Sequence, residues 1–318
     1  MKVLVTGGNG FIGRYIIKEL VSRKIEVISF DIIPPLQVLK GVKYVTSTVL
    51  DTFTMCKYLR GCDAVFHLAA ILGVRRADQE LLECMTINIQ GTINVLEACA
   101  MSGVPYILIA SSSEIFGDIN TKKIQEDSVF SPKSGYAISK LAAEKYVEGF
   151  GKEYGINYNI VRFFNIYGPG QVAEFVVPRF IKMVQSGIVP KIYGDGKQIR
   201  SYCHISDAAR AVSDIYLNNN IRNEILNVGN DLEPITVTDL SSKIINLMGA
   251  DLKPEFVDFS DSDRNTSREI YYRVPDITKI RRLLNYEPRI MIDQGIQSVI
   301  DGGNIPESWT ETIIEIGK

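Results

Sequence analysis

Tyr136 and Lys140 stand four residues apart in the run Tyr136-Ala137-Ile138-Ser139-Lys140. On a helix such a pair shares one face. An ammonium beside a phenol stabilises the phenolate and lowers its pKa from ~10 toward the working pH. That tyrosine can take the proton of a hydroxyl group while hydride leaves the same carbon. A second cluster, Ser111-Ser112-Ser113-Glu114, follows an apolar strand. A serine at a strand's carboxyl end can hydrogen-bond the reacting oxygen and hold it against Tyr136. Taken alone both signals are weak, because Tyr/Lys pairs are common on exposed helices and serine clusters form solvated turns.

The N-terminus supplies the context. Apolar Lys2–Thr6 leads into Gly7-Gly8-Asn9-Gly10-Phe11-Ile12-Gly13, in which Gly7, Gly10 and Gly13 give a GxxGxxG spacing between a strand and a helix. Glycine lets the backbone turn sharply and approach a pyrophosphate. The amides at the following helix N-terminus favour its phosphates. Asp31 ends the second strand, eighteen residues beyond Gly13. A carboxylate there suits the adenosine ribose hydroxyls and repels a 2′-phosphate, so the expected cofactor is NAD rather than NADP.

The elements that must position these residues are legible as an alternation. Lys2–Thr6, Glu26–Phe30, Ala64–Leu68, Tyr106–Ala110 and Tyr158–Phe163 read as buried strands. Gly10–Leu20, Leu81–Met101 and Tyr136–Tyr154 read as helices between them. This predicts an α/β Rossmann fold, a doubly wound parallel sheet covered on both faces. After Asn165 the texture changes. Turn clusters occupy 167–170 and 194–196, and helical patterns cover Ala173–Ser186, Ile205–Leu217 and Val237–Met248. Glu224–Val228 reads as a further sheet strand, and 258–267 as a polar loop. The expected division is an NAD-binding domain over 1–165 that takes back 199–230, with a smaller interleaved α/β substrate domain over 166–318. Gly302–Lys318 carries no assignable element.

Together, TGGNGFIG (6–13), Asp31, HLAA (67–70), NIQGT (88–92), SSSEIFG (111–117), YAISK (136–140), RFFNIYGPG (162–170) and GDGKQIRSYCHISDAARA (194–211) resemble the extended short-chain dehydrogenase/reductases, and among them the nucleotide-sugar epimerases and dehydratases. The likeness covers nearly the whole chain in order and spacing. It implies that Ser112, Tyr136 and Lys140 are the catalytic trio. It also implies that Gly7, Gly10, Phe11, Ile12, Gly13, Asp31, Val49, Leu68, Ala69, Ala70, Asn88, Tyr136, Lys140 and Phe164 contact NAD. One departure is Thr48, which stands where the family usually has an Asp that meets the adenine amino group; a hydroxyl can still accept that bond. His67 belongs to a strand-end motif and reads as structural.

The substrate implied is a nucleotide-diphosphate sugar. Asn165 would present its amide to a phosphate, and Arg200 would meet the pyrophosphate with its planar fork. Arg268 or Arg264 could add a second clamp. Three reactions share C4 oxidation to a transient ketone: 4-epimerisation, 4,6-dehydration, and loss of a C6 carboxylate. Ser113-Glu114 lacks the Asp-Glu acid and base of glucose-type dehydratases and resembles GDP-mannose dehydratases and UDP-glucuronate decarboxylases. Glu114 is therefore a candidate catalytic base. The 4-epimerase is the leading expectation, because that reaction needs only the trio. By family habit the two helices Leu81–Met101 and Tyr136–Tyr154 would pair with a twin, giving a homodimer.

Composition sets the outer limits. The chain has 318 residues, 46% hydrophobic and 23% charged, as expected of one large globular unit. A net charge of −2 from well-mixed residues argues against a nucleic-acid or membrane surface built on bulk charge. Five cysteines, odd in number and without a CxxC pair, read as reduced thiols, and two histidines make no metal site. No signal-peptide pattern is present, and no apolar run approaches the ~20 residues of a membrane span. The expected location is the cytoplasm.

Overall fold

The computed structural model describes residues 1–72, 80–119, 123–258, 270–303 and 305–307. Seven strands form one parallel sheet in the spatial order Glu224–Val228, Asn157–Phe163, Tyr106–Ser112, Ala64–His67, Lys2–Thr6, Glu26–Asp31, Val42–Thr46. The chain starts in the middle, winds outward to one edge, and returns to wind the other way. The reversal falls between Lys2–Thr6 and Ala64–His67, and a crevice at their carboxyl ends is where such sheets bind ligands. Val3, Leu4, Val5, Val65 and Phe66 are fully buried, because helices cover both faces.

Two apolar layers flank the sheet. One joins Ile16 and Leu20 of helix Phe11–Ser22 to Val212 and Ile215 of helix Ile205–Leu217. The other joins Met55 of helix Thr52–Leu59, Leu96 of helix Gly91–Ser102 and Val147 of helix Gly135–Tyr154. Glu224–Val228 pairs in parallel with Asn157–Phe163, so the chain returns to the large sheet after leaving it. A third apolar cluster gathers Phe180, Ile244 and Ile296 from helices Val176–Gln185, Val237–Leu247 and Ile292–Asp301. Beside it, Ile199–Arg200 lies between Ile235–Thr236 and Tyr272–Arg273 in a small three-stranded sheet.

Several elements differ from the sequence expectation. The central strand runs on to Ser112, so Ser111 and Ser112 belong to the strand instead of following it. The helix expected over Leu81–Met101 is interrupted by a π turn, Thr86–Gln90, between Leu81–Met85 and Gly91–Ser102. The π turn buries Asn88, whose side chain grips the backbone of Ile71 through both its oxygen and its nitrogen. Val42–Thr46, Thr52–Leu59, Thr278–Leu284 and Ile292–Asp301 are elements the sequence analysis did not assign, although Ile292, Ile296 and Val299 recur at helical spacing and are buried. Most of the expected polar loop and the end of the chain lie outside the described residues. Among the described residues no helix is long and apolar enough to cross a membrane.

Candidate active site

The glycine turn is shaped for a close-lying ligand. Gly7 sits at φ 67°, and a Cβ there would come within 2.7 Å of the Ala69 backbone nitrogen. A Cβ on Gly13 would fall 2.2 Å from the Gly7 carbonyl oxygen, so only glycine lets this helix press against the turn. Gly10 is the N-cap of helix Phe11–Ser22 and offers no side-chain cap, which leaves the first amides for a ligand. Asn9 braces the turn: its Oδ1 accepts from Ser29 Oγ at 2.7 Å, and its Nδ2 donates to the Ile33 carbonyl at 2.6 Å. Asp31 Oδ2 accepts from the Asn9 amide at 2.9 Å, and Oδ1 from the Ile33 amide at 3.1 Å. Burial raises the Asp31 pKa, and these amides partly offset it. An uncapped helix start, a backbone cradle and a carboxylate beside it together suit a dinucleotide with free ribose hydroxyls.

The strand and helix behind this turn bring the trio together. Ser112 ends strand Tyr106–Ser112, and its hydroxyl lies close enough to Tyr136 to favour the phenolate. Lys140 is buried, and its ammonium donates to the Ala110 carbonyl at 3.0 Å. Its Nζ lies 5.9 Å from the Tyr136 ring centre. Burial lowers the Lys140 pKa to about 8, against the opposing pull of Cys84 and Glu144. The Tyr136 phenol moves opposite to the sequence expectation. Burial raises its pKa well above the ordinary value, and the Glu114 charge adds to this; the nearby Ser112 hydroxyl and Arg273 only partly compensate. The physical reason is that desolvation penalises the phenolate more than a lysine at this distance repays.

Glu114 lies in the short turn Ser113–Phe116, where its amide donates to Ser112 Oγ at 3.2 Å. Its carboxylate accepts from Ser134 Oγ at 3.4 Å, and Ser134 caps the helix that carries Tyr136, accepting from the Ala137 amide at 3.1 Å. Glu114 also faces Arg273, Nη1 to Oε1 at 3.7 Å. Arg273 is a site residue the sequence analysis missed. Its Nε is buried without a hydrogen-bond partner among the described residues. The only signal was its place in a two-residue strand registered beside Arg200, which no periodicity reveals.

The other expected residues are placed as follows. Leu68, Ala69 and Ala70 follow the strand end at His67, and the Ala69 amide reaches Thr6 Oγ1 at 3.3 Å. Val49 is buried against Gly91, and Thr48 Oγ1 accepts from the Leu50 amide at 3.3 Å. Phe11 and Ile12 open the first helix, and Phe164 is fully buried. Asn88 spends its side chain on Ile71, Cys84 and Ser139, which makes it a brace within the protein. Asn165, at φ 41°, donates to the Ser201 carbonyl at 2.9 Å. Arg200 donates to the Ile199 carbonyl at 3.0 Å. Arg264 and Arg268 lie outside the described residues. His67 bridges Thr6 and Thr92 inside the core, and burial lowers its pKa to about 3. Among the described residues no cluster could hold a metal.

Comparison with known proteins settles the affiliation. Residues 3–229 match the model of the NAD dependent epimerase/dehydratase family. The chain belongs to that family. Its cofactor is NAD, and solved members carry it. This epimerase/dehydratase is 32% identical to a UDP-N-acetyl-alpha-D-glucosaminuronate decarboxylase of Bacillus cytotoxicus, over 94% of this chain and 96% of that one. Its fold is similar to a UDP-glucose 4-epimerase of Thermotoga maritima, with TM-score 0.87 and 26% identity over 98% and 99% of the two chains. It is equally similar to a dTDP-glucose 4,6-dehydratase of Streptomyces venezuelae, with TM-score 0.87 and 28% identity over 95% and 96%.

Proposed function

We propose that this chain oxidises C4 of a nucleotide-diphosphate sugar to a transient ketone and returns hydride to the opposite face, as a 4-epimerase. The observation that carries this is the convergence of Ser112, Tyr136 and the buried Lys140, whose ammonium sits on the Ala110 carbonyl 5.9 Å from the Tyr136 ring, at the strand ends next to the glycine turn. Ser112 holds the C4 hydroxyl, Tyr136 takes its proton, and Lys140 stabilises the phenolate. Bound NAD⁺ supplies the hydride acceptor and a positive ring that favours the phenolate. Gly7, Gly10, Gly13 and Asp31 hold the cofactor in this reading. Residues 166–318, with Asn165 and Arg200 at the pyrophosphate, build most of the substrate side.

A second reading rests on Glu114 and Arg273. A carboxylate and a guanidinium beside Tyr136 are more than an epimerase needs. They suit removal of the C5 proton, or a sugar that bears a C6 carboxylate, as in the Bacillus decarboxylase's printed substrate. The test is to incubate the purified protein with UDP-, GDP-, CDP- and dTDP-sugars, separate the products from substrate by chromatography that resolves sugar epimers, and weigh each by mass spectrometry. A new isomer of unchanged mass is expected. Loss of water or of carbon dioxide selects the second reading, and no conversion of any sugar by the NAD-loaded protein overturns both.

The same reading includes a homodimer in the cytoplasm. Helices Leu81–Met85 and Gly135–Tyr154 expose Leu82, Ile138 and Tyr146, apolar groups that a second copy would cover. All five cysteines are free thiols, which suits a reducing compartment. Sedimentation of the holoenzyme as a monomer would remove the dimer from this reading.

A further inference from the structure

Directly behind the trio lies a fully buried ion pair that the proposed chemistry leaves unused. Glu144 and Arg162 are both 0% exposed. Arg162 donates from Nε to Glu144 Oε1 at 2.9 Å and from Nη2 to Oε2 at 2.7 Å, a two-pronged contact. Its Nη1 donates to the Glu126 carbonyl at 2.6 Å. The guanidinium packs against the rings of Phe116 and Phe130, at 5.1 and 5.0 Å. Ser111 Oγ donates to Glu144 Oε1 at 2.5 Å. Stability alone is a poor reason for such a pair, because taking two charges out of water costs about as much as their attraction returns.

Its members sit on the strand and the helix that carry the trio, and on the strand beside them. Ser111 immediately precedes Ser112 and is the register partner of Arg162 on the neighbouring strand. Glu144 lies one helical turn beyond Lys140. Phe116 closes the turn that holds Glu114. The Lys140 ammonium bonds Ala110, the residue before Ser111. A shift of the helix against the strand would break the fork, the Ser111 bond and the Lys140 bond together.

We propose that Ser111, Glu144 and Arg162 form a positioning clamp, which fixes the Tyr136–Lys140 helix against the Ser112 strand end and keeps Lys140 protonated. The clamp's catalytic meaning rests on the trio reading above. The groups that face Lys140 are Glu144 on its own helix, the Cys84 thiol, His67, and the Tyr136 ring. Burial keeps His67 neutral and raises the Cys84 thiol, so Glu144 is the anion among them.

The test uses the full chain as purified, with ¹³C-labelled lysine, and follows the Lys140 ε-carbon by NMR as pH is varied. The signal is assigned by its loss in Lys140→Arg. Glu144→Gln with Arg162→Gln removes both charges together, so neither is left buried alone. We expect melting close to the parent, retained NAD, and a Lys140 midpoint lower than the parent's, by less than loss of a lone carboxylate would give because Arg162 leaves with Glu144. An unchanged midpoint in a folded double variant overturns the electrostatic half of the proposal. If the Gln pair fails to fold, Glu144→Leu with Arg162→Met fills similar volume and gives the same two outcomes. Ser111→Ala tests the geometric half: kcat falls about ten-fold with KM within about two-fold. Unchanged kcat overturns it. If the parent converts no sugar, the trio reading fails while the lysine titration still decides the clamp's charge role.

Discussion

Glu114→Gln separates the two chemistries, and the structure sets the size of each outcome. The carboxylate faces Arg273 at 3.7 Å and is 23% exposed on its side chain, so this is a long, partly solvated pair. Such a pair contributes about 1 kcal/mol or less. The fold should therefore survive its loss. Glu114 also pushes the Tyr136 phenol upward, behind the larger effect of burial. Removing that charge moves the phenol downward. In a 4-epimerase the base then becomes slightly easier to ionise. Turnover should stay within about five-fold of the parent, and its acid limb should shift to lower pH. If Glu114 removes the C5 proton, product formation should instead drop ~10²–10⁴-fold. The assay is steady-state product formation over a pH series, with NADH absorbance recorded and deuterium at C5 measured after turnover in heavy water. The epimerase reasoning expects no C5 deuterium and no NADH build-up. Severe loss in a folded variant, with C5 exchange in the parent, refutes it.

Three further outcomes follow from the geometry. Tyr136→Phe keeps the ring's packing but removes the proton acceptor, so turnover should fall ~10²–10⁴-fold with NAD content unchanged; activity within a few-fold of the parent means another group is the base. Gly13→Ala places a Cβ 2.2 Å from the Gly7 carbonyl oxygen, where both sides are backbone. It should cost ~1–3 kcal/mol of stability and strip NAD from the purified protein, and normal melting with bound NAD would contradict the close-packing account. His67, neutral in the fold with its pKa near 3, refuses a proton that the unfolded chain accepts below about 6.5. Its contribution is complete above that value and is lost as pH falls toward 3, by about 1.4 kcal/mol per unit for one proton. Urea unfolding should show this slope below about pH 6.5, and His67→Asn should flatten it; equal slopes in both proteins would count against the buried-histidine account.

Much of the site was legible because its parts are local. The glycine turn, Asp31, and the Tyr136/Lys140 spacing each sit within one strand-turn-helix or one helical turn, where geometry follows from sequence separation. Five of the seven sheet strands were assigned within two residues at either end from buried apolar runs, and Glu224–Val228 matched at both ends. The edge strand Val42–Thr46 was not assigned, since its exposed, lysine-bearing pattern lacks such a run.

What the tertiary structure alone decided depends on contacts between distant residues and on burial. Arg273 reaches Glu114 across 159 positions. The Arg162–Glu144 pair becomes fully buried only when strand and helix pack. Asn88 carries the expectation of a cofactor contact, but that its side chain also ties together Ile71, Cys84 and Ser139 through a π turn is announced by no spacing. The same holds for the sign of the Tyr136 shift. The neighbouring lysine was visible in the sequence, but the depth at which the phenol sits was not. Desolvation depends on everything packed around a group, and here it outweighs the one favourable charge that local spacing could show.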